Sequence, residues 1–134
     1  MPRTNWTTTK PIIAMANPLP LPGSIRSKGE SIDVISSKML DEVRILSDNN
    51  VDGILLQNFN DGPNRQNTSP ESIAYMTRLA SDIRREYPNI IIGILMCWDG
   101  PGSIIAADAS SADFIRVEHV YCGAEMTTAG VIQG

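Results

Sequence analysis

The residues of this chain that can do chemistry gather where short apolar runs stop. GILLQ (residues 53–57) leads into Asn58, Asn60 and Asp61. PIIAMA (residues 11–16) leads into Asn17, and IIIGILMC (residues 90–97) into Trp98 and Asp99. FIRVEHV (residues 114–120) carries Arg116, Glu118 and His119. Amides bind neutral polar groups, whereas a carboxylate beside a guanidinium can hold an anion and exchange a proton. Glu118 and Asp61 are therefore the candidate catalytic acids or bases. Asn17, Gln57, Asn58, Asp99 and Arg116 are candidate ligand-binding groups. Arg116 and Glu118, two positions apart, share one face of a strand.

Each candidate also has a plainer role. Asn60-Asp61-Gly62-Pro63 is a strong turn sequence whose polar side chains can bond local backbone. Asp99 precedes Gly100-Pro101-Gly102 and suits a helix N-cap. Arg116 and Glu118 can form a structural ion pair, and His119, of opposite parity, suits packing under a helix. Cys97, His119 and Cys122 fall near strand ends as a conceivable three-ligand zinc set. No close ligand spacing supports that set, and no metal is expected.

The elements that must position these residues follow from periodicity. Residues 11–16, 53–58, 90–97 and 114–120 read as four strands, and IIIGILMC is apolar at consecutive positions, as in parallel sheets covered on both faces. Between the first two, Ile32, Ile35, Met39, Val43 and Leu46 line one face of a helix over about residues 29–49. Ser69, Pro70 and Glu71 open a second helix in the manner of an N-cap, a first-turn proline and an acid at the positive helix end. A short helix is expected over residues 102–110. VDGILLQ and ADFIRVE each place an aspartate just ahead of a strand, a faint internal echo. Alternating strands and helices give an α/β fold with a parallel sheet, either an open doubly wound sheet or part of a closed barrel. In both, ligands sit at the carboxyl ends of the strands, where the polar clusters lie.

Composition narrows the function classes. The chain has 134 residues, enough for one domain, with 42% hydrophobic residues and a net charge of -4. No basic stripe exists to release phosphate counterions, so nucleic acid is not an expected partner. The longest strongly apolar run is far shorter than the roughly 20 residues needed to span a bilayer. Two cysteines without a C-x-x-C pair suit reduced thiols and a cytoplasmic setting. Phosphate-loop, dinucleotide, nucleophile-elbow and zinc-protease motifs are absent, and no cofactor is indicated.

Three segments in order, KPIIAMANPLPLPGS (residues 10–24), VDGILLQNFNDGP (residues 51–63) and ADFIRVEHVYCGAEMTTAGVIQG (residues 112–134), resemble the BtpA family. The resemblance covers nearly the whole chain. It implies a (β/α)₈ barrel related to phosphate-binding barrels, with Asn58, Phe59, Asp61, Pro63 and Arg116 matching the family pattern. The resemblance also implies a loop after the fourth strand, and Thr128, in its TTAG segment, joins the implied ligand-binding set. The family takes its name from photosystem I biogenesis in cyanobacteria. The resemblance therefore implies an accessory or biogenesis factor, at the thylakoid surface in a photosynthetic host. The alternative is a metal-independent enzyme or binding protein for a small phosphorylated metabolite such as a sugar phosphate or nucleotide.

Departures from the family pattern remove ionisable groups. Gln57 stands where the family usually has glutamate, Asn17 where it has histidine, and LMCWDG (residues 95–100) replaces a more polar stretch. A barrel needs about 250 residues, so this chain is expected to supply four βα units: a half or truncated barrel. With two open edges and an uncovered inner face, it is expected to form a homo-oligomer or to belong with a missing C-terminal half.

Overall fold

The computed structural model describes residue 6 and residues 8–118, 124–127 and 130–133. Strands β1 (Ile13–Ala16), β2 (Gly53–Gln57), β3 (Ile91–Leu95) and β4 (Phe114–Ile115) alternate with helices α1 (Ile32–Asp48), α2 (Pro70–Glu86) and α3 (Gly100–Ser110). All neighbouring strands pair in parallel, in the order β1-β2-β3-β4. Strands that neighbour one another in chain order leave no switch point of the doubly wound kind. The fold is α/β, and its four-strand sheet is that of half a (β/α)₈ barrel.

The two faces of the sheet differ. Ile54, Leu56, Ile92, Ile94 and Met96 join Ile35, Met39, Val43, Met76, Leu79 and Ile83 from the helices in the main core. The concave face carries a small cluster of Leu55, Leu95 and Cys97 with Trp98 and Phe114. Ile13 and Met15, at the same parity on β1, remain 37% and 39% exposed. The Phe114 ring lies over Gly93 so closely that a Cβ there would sit 2.2 Å from it, which explains a glycine inside this strand.

Local signals set the helix starts. Ser69 caps α2 by accepting the Ser72 N–H at 3.2 Å, with Pro70 in the first turn, and Ser31 caps α1 through the Val34 N–H. Asp99 caps α3, accepting the Gly102 N–H at 2.8 Å. The two echoed aspartates do the same work. Asp52 Oδ2 accepts the Ile12 N–H at 2.7 Å and Asp113 Oδ2 the Ile92 N–H at 2.9 Å, each fastening the neighbouring strand's start.

Two expectations need correction. The fourth strand pairs only over Phe114–Ile115, so Arg116 and Glu118 lie just past its end. Its partner β3 stops at Leu95 and turns away, with Asp99 N–H bonded to Met96 O and Trp98 at φ 66°, so the ladder has nothing further to pair with. Beyond it, instead of a loop, β5 (Ala124–Thr127) and β6 (Gly130–Gln133) form an antiparallel hairpin. His119, Cys122 and Thr128 lie outside the described residues.

Candidate functional site

The polar tail of β2 works mainly as a set of ties between loops. Asn58 Oδ1 accepts the Cys97 N–H at 2.7 Å, holding the end of β3, and its Nδ2 donates to Asp61 Oδ2 at 3.2 Å. Asp61 Oδ1 accepts the Leu21 N–H at 2.7 Å, and Asn60 Nδ2 donates to Pro18 O at 2.8 Å. The turn sequence thus grips the proline-rich loop after β1, about 40 residues away in the chain, where local backbone bonding was the plainer expectation. Asn60 was read as one of the polar residues after the strand and as part of the turn, but not among the candidate ligand-binding groups. The signal it offered was its place among amides directly after a buried strand. Asp99 uses both oxygens, on Gly102 N–H and on Thr68 N–H at 2.8 Å, so its carboxylate is engaged in scaffolding.

The register assembles a different set on the concave side. Ala16 pairs with Leu56, Gln57 with Leu95, and Ile94 with Ile115. Gln57 and Leu95 are paired on the face of Leu55 and Phe114, and Asn17 and Arg116 are the residues that directly follow the last paired positions of the flanking strands. Arg116 Nη2 lies 3.9 Å from Glu118 Oε1, and Glu118 Oε2 accepts the Trp98 N–H at 3.1 Å. Glu118 is mostly buried and Arg116 half exposed, which leaves the guanidinium able to meet a ligand. Gln57 is only 9% exposed and makes no hydrogen bond among the described residues.

Burial pushes the Asp61 carboxyl above its usual range, opposed by the Leu21 N–H and Asn58. Ser24 also opposes the rise, although its buried Oγ makes no hydrogen bond of normal geometry. The Cys97 thiol is pushed up to about 12 by burial and by the negative charges of Glu118 and Asp61, with Arg116 opposing. Asp61, Cys97, Arg116 and Glu118 therefore share one electrostatic neighbourhood. A cleft of about 420 Å³ beside it is lined by Ser24, Asn58, Asp61, Arg65 and Thr68. A larger hollow of about 720 Å³ lies around Asp52, Arg84 and Asp113, at the amino ends of the strands. Barrel chemistry sits at the opposite end, so the smaller cleft adjoins the candidate site. Among the described residues, no group of three or more His, Cys, Asp or Glu side chains is placed to hold a metal ion.

The sequence profile of the BtpA family matches residues 8–134. The chain belongs to the BtpA family. An uncharacterized protein of Pyrococcus abyssi is 35% identical over 127 residues, covering 94% of this chain and 48% of the relative. One from Methanocaldococcus jannaschii is 32% identical over 93% of this chain and 47% of its own length. The photosystem I biogenesis protein BtpA of Synechocystis sp. is 32% identical over 95% of this chain and 44% of its own. The chain spans about half the length of the curated relatives it matches. No solved structure matches it at a significant level. In this BtpA-family chain no helix among the described residues is long and apolar enough to cross a membrane.

Proposed function

We propose that this BtpA-family chain contributes a binding site for a small phosphorylated metabolite at the carboxyl ends of its barrel strands. The observation that carries this reading is the Arg116–Glu118 pair at 3.9 Å, with the carboxylate fixed by Trp98 N–H and the guanidinium half exposed. A guanidinium presents a planar fork of donors suited to phosphate oxygens. Glu118, held at its back by a backbone donor, keeps one oxygen toward the arginine and orients it. If a reaction occurs, Glu118 is positioned to exchange a proton with a bound ligand, and Asp61, whose carboxyl is shifted upward, is the second candidate acid. Titration with inorganic phosphate, followed by backbone amide NMR shifts, tests the reading. Saturable shifts near residues 57, 95 and 116 are expected, with loss of at least about tenfold in affinity in Arg116→Ala. Unchanged affinity in that variant would remove Arg116 from the site.

A second reading, an accessory factor in photosystem I biogenesis, is favoured by the name of the Synechocystis relative. It predicts co-purification with photosynthetic membranes in a photosynthetic host, and a cytoplasmic protein peripheral to them. Absence from washed membranes that retain photosystem I would count against it. The exposed Ile13 and Met15 on the concave face suit a partner, either a second copy or further barrel strands.

A further inference from the structure

We infer that the adjacent amides of Asn17 and Gln57 form a subsite for the neutral, hydroxyl-bearing part of the ligand, specifically the vicinal diol of a sugar. The inference rests on the reading of the strand ends as a ligand site and adds to it what lies opposite the anion. Gln57 is 9% exposed and has no hydrogen-bond partner among the described residues. On the neighbouring strand Asn17 Oδ1 is buried without a partner. Each is the residue that follows the last pair of the β1–β2 ladder, Ala16 with Leu56. A buried acceptor left unpaired, as Asn17 Oδ1 is, costs about 1–3 kcal/mol, so in a native protein it calls for a partner.

The donor and acceptor inventory selects the ligand. Asn17 presents an acceptor that needs a donor, and Gln57 presents both an acceptor and donors. The ionised oxygens of a phosphate are acceptors and do not match Asn17 Oδ1, and an ammonium would leave the Gln57 donors unmatched. A hydroxyl both donates and accepts. Neighbouring strands lie about 4.8 Å apart, a separation that two adjacent hydroxyls can bridge with hydrogen bonds of about 2.8 Å. Leu95 pairs with Gln57 and separates the amides from Arg116. The strand ends therefore divide into a neutral polar end, an apolar spacer and a cationic end.

The test compares ribose, inorganic phosphate and ribose 5-phosphate as probes on the 134-residue chain, with amide NMR shifts as the readout. Ribose 5-phosphate is expected to bind roughly tenfold more tightly than inorganic phosphate, the increment of one to two net hydrogen bonds. Gln57→Leu and Asn17→Leu should each bring the two ligands to within about threefold. Arg116→Ala should weaken both phosphorylated probes and leave ribose shifts at residues 17 and 57 intact. Equal affinity for phosphate and ribose 5-phosphate in the unaltered chain, or a preference that survives both leucine variants, would overturn the diol subsite while sparing the Arg116 reading. Ribose shifts at residues 17 and 57 without any phosphate binding would support the subsite and sink the Arg116 reading. No response to any probe would overturn both.

Discussion

Asp61 and Asp82 expose the same fraction of their surface, 8% each, although Asp61 lies deeper, and their carboxyls move in opposite directions. Asp82, on α2, suffers burial too. The Ser36 hydroxyl at 2.7 Å and the guanidiniums of Arg78 and Arg85 outweigh that burial and hold it below the usual carboxylate range. Asp61, at the strand ends, has only neutral donors, Leu21 N–H and Asn58 Nδ2, and burial prevails. The outer layer of the protein compensates its buried charge with opposite charge. At the strand ends Asp61 is left to neutral groups, so its electrostatics can still respond to a ligand.

The largest expected effect tests the compensated side. Asp82→Ala removes the acceptor for Ser36, Arg78 and Arg85 at once, and should cost about 2 kcal/mol in urea denaturation, as expected for a buried charge-assisted hydrogen bond. The arginines, largely exposed, return to water, and most of the loss comes from the buried Ser36 hydroxyl. A loss below about 0.5 kcal/mol would mean the network adds nothing beyond surface pairing.

Asn58→Ala comes next. It strands the Cys97 N–H and one Asp61 oxygen, and should cost about 1–2 kcal/mol. The carboxyl of Asp61 should then titrate at still higher pH, because a donor to its charged form is gone. An NMR titration of the Asp61 side chain reads this directly, and a downward move would contradict the assigned role of Asn58.

The pH response separates the two carboxylates. The folded state keeps the Asp61 proton to higher pH than the unfolded chain does. Between the ordinary value of 3.8 and the raised one, the native state binds more protons, and stability falls as pH rises through that window. Asp82, lowered, contributes stability that is present above 3.8 and lost as pH falls through its depressed value. Asp61→Asn should therefore remove a decline on the way up from about pH 4, and Asp82→Asn should remove a loss on the way down. Both are read as differences from the unaltered chain in denaturant midpoints. Identical profiles for the two variants would break the contrast.

The smallest effect is expected outside both regions. Arg44 and Asp48 lie 3.8 Å apart on α1 with side chains 58% and 67% exposed. Asp48→Asn should change stability by no more than about 0.5 kcal/mol, because water and salt screen such pairs.

The helices and strands were legible because their signals are local. Ser69-Pro70-Glu71 announces the start of α2, Asp99 the start of α3, and the apolar runs mark a covered parallel sheet. The length of β4 was not legible. FIRVEHV keeps its strand character for seven residues, but a strand continues only where its neighbour does, and β3 ends at Leu95. The hairpin of β5 and β6 was read as a loop, since AEMT and GVIQ are short and carry no marked alternation.

For the site, the chain order alone determined that amides, acids and an arginine would follow apolar strands and so collect at the carboxyl ends of a parallel sheet. The nearness of Arg116 and Glu118 did not come from strand parity, because both lie past the end of β4, and the 3.9 Å between them is set by the fold of the segment that follows it. Tertiary structure decided which of these groups are engaged. Asn58, Asn60, Asp61 and Asp99 find backbone partners 31 to 42 residues away, a distance over which no sequence pattern specifies a hydrogen bond. Gln57 was left without one. A side chain's type sets what it can bind, and only the packing of distant loops sets whether that capacity is already filled.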